Sequence, residues 1–392
     1  KIKIKEIPSS KSYSEYRQNF KEIVEDQFID ALDTDLEVTF QLSGGIDSNL
    51  LVGLASKFIP EKLNYTVSSY IEGDFDNNEA EYIKKVVAEL GLRNELIPIN
   101  EKNFFNELTS SIKNLGEPTG DAGVVAQHIV NKQTSKNTKI AIAGQGADEM
   151  FFGYIRNYLS YLHHKGNVNI DRLNSDPFLS GWESYASTFI NDKNLSSQEL
   201  YFNKISRFNN KDTVEINGQI IKKLQKLKSD NFHKLNNEYS SINHFMLFSE
   251  LTLQLPPLLQ MEDRASMYSS IETRVPLCTN SILSLAIEGS ADWKFKNGKT
   301  KGIIRDAFSD VIPSFILDRK QKVGRPIPLK KWIYSSHGEE YYRKILSSKE
   351  MINHVFGFDF VTYALRNPNP FDRSLWMVLS FSIWVDEFNV SV

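Results

Sequence analysis

QLSGGIDSNLL, residues 41–51, follows the apolar, β-branched run Glu37-Val38-Thr39-Phe40 and leads directly into an apolar helical pattern. The stretch reads as a strand, a glycine-rich turn and the start of a helix. In an open α/β sheet such a turn lies at the carboxyl end of a strand, where backbone N–H groups and the positive helix end attract an anion. Gly44 and Gly45 remove side chains that would hold a phosphate away, and Ser43 and Ser48 offer hydroxyl donors. Asp47 does not fit a bare phosphate site, because carboxylate and phosphate repel each other; a Mg²⁺ between them removes the conflict. Taken alone, the string is equally a plain turn with Asp47 or Ser43 as helix cap.

Working outward, strand and helix patterns alternate. A helix over 12–32 precedes strand 37–42, helix 47–58, strand 63–70, helix 79–91, strand 94–99, helices near 103–114 and over 122–133, and strand 138–143. This rhythm predicts α/β class: a doubly wound parallel sheet with helices on both faces. Beyond 151 the pattern is helical only, over 218–229, 241–259, 280–288, 300–309 and 371–387. The expected organisation is an N-terminal linker and helix (1–36), an α/β core (37–158) and a large helical part (159–392) that completes the site. Asn- and Lys-rich stretches near 165–176 and 191–215 are read as loops.

Composition narrows the function classes. The 392 residues are 41% hydrophobic and carry 46 Lys plus Arg against 49 Asp plus Glu, a net charge of −3 without a long basic run. Nucleic-acid binding is therefore not expected. No apolar run is long enough to cross a membrane. The single cysteine, Cys278, excludes an intrachain disulfide framework and every Cys-pair zinc site, which points to a reducing, cytoplasmic setting. The chain begins KIKIKEI with Lys1 and without a signal-peptide pattern, so a processed or truncated piece is the expectation. Assembly into a homo-oligomer is left open.

Other phosphate signatures fail. Gly298-Lys299-Thr300 has Trp293 where a P-loop needs its upstream glycine, and Gly144-x-Gly146 lacks the third glycine of a dinucleotide fingerprint. Three further segments bear on the first turn. GQGADEMFFGY, residues 144–154, is a second glycine-rich turn after a strand, with Asp148 and Glu149 in the first helical turn. If both turns face one crevice, one holds phosphates and the other supplies carboxylates for Mg²⁺ or an amine; favourable placement of acids at a helix start is the plainer reading. LPPLLQMEDRASMYSSIETRVPL, residues 255–277, sets Glu262, Asp263, Arg264, Glu272 and Arg274 among apolar residues, an arrangement for ion pairs that buttress a cleft. GKTKGIIRDAF and DRKQKVGRPIPL, residues 298–308 and 318–329, gather Lys299, Lys301, Arg305, Arg319, Lys320 and Lys322 on turns. Such loops close positive charge over a leaving phosphate, or simply form a solvated basic face.

Together, S-G-G-I-D-S at 43–48, G-Q-G-A-D-E at 144–149, E-D-R-A-S-M with I-E-T-R-V-P at 262–276 and the K-V-G loop at 322–324 resemble the synthetase domain of the glutamine-dependent asparagine synthetase family, in the family's order and over nearly the whole chain. Asn78-Glu79-Ala80-Glu81-Tyr82 and Glu117-Pro118 are similar to two further family stretches. The resemblance implies an ATP pyrophosphatase (PP-loop) fold that uses ATP and Mg²⁺ to adenylate a small-molecule carboxylate, releasing pyrophosphate, before ammonia or another amine captures the acyl group. Carried over, Ser43, Gly44, Gly45, Asp47 and Ser48 would hold pyrophosphate, with Asp47 and Asp148 as metal ligands. Leu42, Ser68 and Gly144 would border the adenosine. Asp148 and Glu149 would hold metal or a substrate amino group, and Lys322 would stabilise charge at the α-phosphate and acyl carbon. Asp263, Arg264, Glu272 and Lys301 would be supports.

Departures from the pattern matter. Gln145 stands where many members carry an acid that helps deprotonate the amine, and an amide is not a base. Arg325 and Thr279 also replace residues usual in the family. These 392 residues contain no counterpart of the family's cysteine-starting glutaminase domain, so a glutaminase domain or subunit elsewhere is an implied partner. Three readings follow: an ammonia-using amide ligase, a relative using another amine as β-lactam synthetases and lasso-peptide cyclases do, and a nucleotide-binding scaffold without turnover. The intact Asp47, Asp148, Glu149 and Lys322 speak against the scaffold.

Overall fold

Five short parallel strands form the centre of the computed structural model, which describes residues 11–63, 65–73, 79–167, 176–179, 182–191, 195–205, 219–319, 327–367 and 373–390. They are β1 (Val38–Gln41), β2 (Thr66–Ile71), β3 (Asn94–Ile99), β4 (Ile140–Ile142) and β5 (Glu272–Arg274), in the order β3-β2-β1-β4-β5. Every pairing is parallel, with Phe40 opposite both Thr66 and Ile142. The chain builds outward from β1 to β2 and β3, then returns to the other side of β1 with β4. The switch point therefore lies between the carboxyl ends of β1 and β4, where open α/β sheets bind ligands.

Predicted and observed elements agree for β1 to β4 within a few residues at each end. The expectation of a purely helical second half is corrected by β5, which contributes three residues from that half and pairs with β4. A three-residue strand carries too little alternation to register as a pattern; it exists because β4 offers it an edge.

The helices follow their local signals. In α1 (Tyr13–Asp30) Ser12 and Glu15 form a reciprocal capping box, and Tyr16, Phe20, Val24 and Phe28 recur on one buried face. That face enters the core against Phe151 and Phe308, and the Tyr16 hydroxyl donates to the Leu285 carbonyl at 2.8 Å. Helix α2 (Ile46–Phe58) is buried from Ile46 through Ala55, apolar from Leu50 onward within that stretch and with Asp47, Ser48 and Asn49 buried in its first turn at the crevice. Helix α3 (Glu79–Leu90) follows with Ile83 and Val86 in that same core, whereas α4 (Glu101–Leu115) and α5 (Gly123–Thr134) pack in a second one.

Two hydrophobic clusters result. One joins α1, α2 and β1 to Phe245, Ile304 and Phe308. The second joins α4 and α5 to Trp332, Trp376 and Leu379. The helical C-terminal half thus covers the sheet, and the segment carrying Lys301 is packed by the first cluster against the switch point. No helix among the described residues is long and apolar enough to cross a membrane.

Candidate active site

The turn after β1 is Leu42-Ser43-Gly44-Gly45. Gly45 caps α2 with extended backbone and no side-chain cap, so the first N–H groups of that helix face the crevice without a capping oxygen. Ser43 and Ser48 brace the turn: their hydroxyls lie 3.0 Å apart, and the Ser43 N–H donates to Ser48 Oγ at 3.0 Å. Asn49 Nδ2 donates to the carbonyls of Ser43 and Gly45 at 2.9 and 2.7 Å. From outside, Glu79 Oε1 accepts from the Gly44 N–H at 3.0 Å and Arg319 Nη1 donates to the Gly44 carbonyl at 2.6 Å. The Arg319 guanidinium also lies over the Tyr82 ring at 4.3 Å. Leu42 is buried and its N–H pairs with the Val67 carbonyl, while Ser68, on β2, accepts from Asn94 Nδ2 at 2.9 Å.

The turn after β4 approaches the first one closely. A Cβ on Gly144 would stand 2.8 Å from Asp47 Cβ and 3.2 Å from the Ser48 backbone nitrogen, so only glycine lets the two turns meet here. Helix α6 (Ala147–Phe151) then buries Asp148 and Glu149. Lys301 Nζ lies 2.5 Å from Asp47 Oδ2 and 2.5 Å from Asp148 Oδ1, one ammonium joining carboxylates from both turns. All three side chains are buried to nine-tenths or nearly so. Glu149 accepts from the Tyr154 hydroxyl. Burial first, and the neighbouring Asp148 charge second, push the Glu149 carboxyl well above the ordinary carboxylate range. Cys278 packs beside Gly146, and burial with the Glu149 charge raises its thiol to about 11, which keeps it protonated and inert.

Gln145 points its amide at Glu262, with Nε2 donating to Oε2 at 3.0 Å. The other Glu262 oxygen accepts from Thr273 Oγ1 at 2.8 Å and Asn131 Nδ2 at 3.4 Å. Glu262 is buried, and burial raises its carboxyl despite these donors. Gln145 Oε1 is buried and has no hydrogen-bond partner among the described residues. A second buried network supports the Glu149 side: Glu250, at the start of the π-helical turn Glu250–Gln254, pairs with Arg156 at 2.7 Å and accepts from Asn157 and Tyr201.

The residues expected from sequence divide as follows. Ser43, Gly44, Gly45, Asp47, Ser48, Gly144, Gln145, Asp148 and Glu149 lie in or beside the paired turns, and Lys301 joins them directly. Lys322 lies outside the described residues, as do Lys320 and Arg325. The acidic and basic residues of 262–274 do not form the expected cleft-side ion pairs. Asp263 is exposed, Arg264 is half-buried, and Glu272 is an exposed partner of Arg274, whose guanidinium ties β5 to the Ala31 carbonyl. The phase of the helix Leu255–Tyr268 turns Glu262 inward instead. Lys299 and Arg305 bind the Leu317 carbonyl and serve the neighbouring segment. Sequence reasoning missed Glu79 and Arg319 as anchors of Gly44, and Gly153, where a Cβ would overlap Asp148 and Lys301.

A five-stranded parallel sheet flanked by helices, with two glycine turns meeting at its switch point, defines the class: an α/β fold of the PP-loop type. The asparagine synthase family model matches residues 17–386, and the chain belongs to that family. It is 25% identical over 375 residues to asparagine synthetase (glutamine-hydrolyzing) 1 of Bacillus subtilis strain 168, covering 90% of this chain and 56% of that protein. It is 24% identical over 383 residues to the putative asparagine synthetase (glutamine-hydrolyzing) of Mycobacterium tuberculosis strain H37Rv, covering 92% of this chain and 56% of that one. A shorter match, 30% identical over 128 residues, joins 33% of this chain to 24% of the putative asparagine synthetase (glutamine-hydrolyzing) 2 of Methanocaldococcus jannaschii. The chain thus spans a little over half the length of the longer relatives it matches.

Proposed function

We propose that this chain is an ATP-dependent, amide-forming carbon–nitrogen ligase that adenylates a small carboxylate and transfers ammonia to it, as the names of its relatives suggest for asparagine. The observation that carries the reading is the meeting of Asp47 and Asp148 on Lys301 at the switch point. In the first step a substrate carboxylate oxygen attacks the α-phosphorus and the bond to pyrophosphate breaks. In the second, an amine nitrogen attacks the acyl carbon, the bond to AMP breaks and one proton is lost.

The Ser43-Gly44-Gly45 turn, the uncapped first N–H groups of α2 and the hydroxyls of Ser43 and Ser48 would hold pyrophosphate. Leu42, Ser68 and Gly144 would border the adenosine, and Lys322 would follow charge at the α-phosphate. The donor set fits Mg²⁺, which takes one or two carboxylates together with substrate phosphates; Asp47 and Asp148 would hold it. Among the described residues no larger His, Cys, Asp and Glu cluster suggests a metal bound without phosphate. Mg²⁺ would supply neutralisation of phosphate charge. Glu149 would meet the amino group of the substrate or incoming amine.

Gln145 supports a second reading, in which another amine replaces ammonia. Its oxygen is an acceptor for an amine N–H but not a base, and its amide is committed to Glu262. Ammonia, if used, would be free or delivered by a glutaminase domain or subunit.

The test is pyrophosphate release across free carboxylates, aspartate first, with and without ammonium, together with ATP–pyrophosphate exchange. Asp47→Asn or Lys322→Ala abolishes exchange while circular dichroism stays native. Unchanged exchange in both variants would sink the assignment, and turnover with an organic amine but none with ammonium would select the second reading.

A further inference from the structure

The ammonium of Lys301 stands between the two carboxylates assigned to the metal, and its position is built rather than incidental. Lys301 has φ +54°, a left-handed conformation that is strained for a residue bearing a side chain. The surroundings enforce it. Gly302 packs so tightly on the Lys296 backbone that a Cβ there would stand 2.7 Å from the Lys296 carbonyl oxygen, and Arg305 Nε donates to the Thr300 carbonyl at 2.9 Å. The side chain then runs past Gly153, where no larger residue fits, into a buried place between Asp47 and Asp148.

We propose that Lys301 is a positioning residue that substitutes for the divalent cation while no phosphate is bound, and so makes metal binding conditional on a pyrophosphate-bearing ligand. The inference rests on the ATP and Mg²⁺ reading above and adds an order of events to it. Two carboxylates held together without a cation would repel each other in a buried setting; the ammonium removes that repulsion and keeps Asp47 and Asp148 facing each other. A divalent cation and an ammonium compete for that space, because both are positive and both are drawn to the same pair of carboxylates. The metal therefore enters only when Lys301 has another anion to pair with, and the phosphates brought to the adjoining Ser43-Gly44-Gly45 turn are that anion. Free divalent metal does not load the site, and the two turns stay aligned between turnovers.

The experiment titrates Mn²⁺ by electron paramagnetic resonance into the full chain, with and without inorganic pyrophosphate, for wild type, Lys301→Met and Lys301→Gln. Wild type binds Mn²⁺ weakly alone and at least tenfold more tightly with pyrophosphate. Lys301→Met and Lys301→Gln bind Mn²⁺ alone at least tenfold more tightly than wild type, and pyrophosphate adds much less. Equal Mn²⁺ affinity of wild type and a folded variant without pyrophosphate overturns the proposal. If neither variant folds, wild type decides by thermal unfolding: a midpoint raised by pyrophosphate with Mn²⁺ but not by Mn²⁺ alone supports the proposal, and equal shifts overturn it. ATP–pyrophosphate exchange separates the layers. Exchange with equal Mn²⁺ affinities refutes only the role of Lys301, whereas no pyrophosphate binding in any form refutes the reading beneath it.

Discussion

Substituting Gly153 by alanine adds a single methyl group at the tightest point of the site. That Cβ would overlap Asp148 Oδ1 and Lys301 Cε and stand 2.7 Å from Asp148 Cγ. Ordinary carbon contacts lie near 3.5–4.0 Å, so the carboxylate has to retreat by roughly 1 Å or the backbone of residues 152–154 has to move. Either movement stretches the 2.5 Å contact between Asp148 and Lys301. Breaking a buried ion pair costs about 3–5 kcal/mol when one partner is lost outright. A displaced but retained carboxylate sets the expectation below that, at about 2–3 kcal/mol, with overpacking of about 1–3 kcal/mol as the independent bound. A misplacement of about 1 Å in a reacting site also lowers turnover on the order of 100-fold. Urea unfolding and ATP–pyrophosphate exchange measure the two effects. Gly120→Ala is the control, since nothing lies within 4 Å of its Cβ and its backbone is not left-handed; it leaves both quantities nearly unchanged. If Gly153→Ala matches Gly120→Ala in stability and exchange, the ion-pair geometry is not what holds the two turns together.

Lys294 gives a pH-dependent prediction. Its amine is fully buried, donates to the Ala286 carbonyl at 2.7 Å, lies 4.3 Å from the centre of the Phe152 ring, and is lowered by burial from 10.5 to about 7. Between pH 7 and 10.5 the unfolded chain binds more protons at this group than the folded one, so wild-type stability rises with pH through that window. The full shift corresponds to about 5 kcal/mol; a methionine leaves the Ala286 carbonyl without its donor and forgoes the contact with the Phe152 ring, which lowers the expected gain to about 2 kcal/mol. Lys294→Met is therefore more stable than wild type at pH 7 by about 2 kcal/mol, and the gap closes towards pH 10; a gap that stays constant in denaturant titrations contradicts this. Gln145→Glu sets a second carboxylate against Glu262, and the pair keeps one proton at neutral pH. The variant loses about 1–3 kcal/mol, more at pH 8 than at pH 6; a rise in ammonia-dependent turnover marks position 145 as tuning the amine, and no change in turnover removes that role.

Local chemistry made much of the fold readable. Val38-Thr39-Phe40 followed by Ser43-Gly44-Gly45 and a helix that is apolar from Leu50 through Ala55 leaves little choice but strand, turn and buried helix, and the same signal repeats before Ala147. Capping residues such as Ser12 with Glu15, and Asn100 with Asn103, mark helix starts within a few positions. These features depend only on neighbours in the chain, and sequence carries neighbours in full.

What depends on distant partners was not legible. Glu272–Arg274 is a strand only because β4 presents an open edge, and Glu262 rather than Asp263 faces inward only because the helix Leu255–Tyr268 packs in one phase against α5. Lys301 read as one of six basic residues on turns; the structure separates it from Lys299 and Arg305 by carrying its side chain past Gly153 to Asp47, 254 positions away. Sequence by itself determined where the strands, the two glycine turns and the acidic residues beside them fall, since that follows from side-chain chemistry and local backbone. Tertiary packing alone decided which of them meet, because a contact across the switch point is set by the order of the strands and the close approach of two glycine turns.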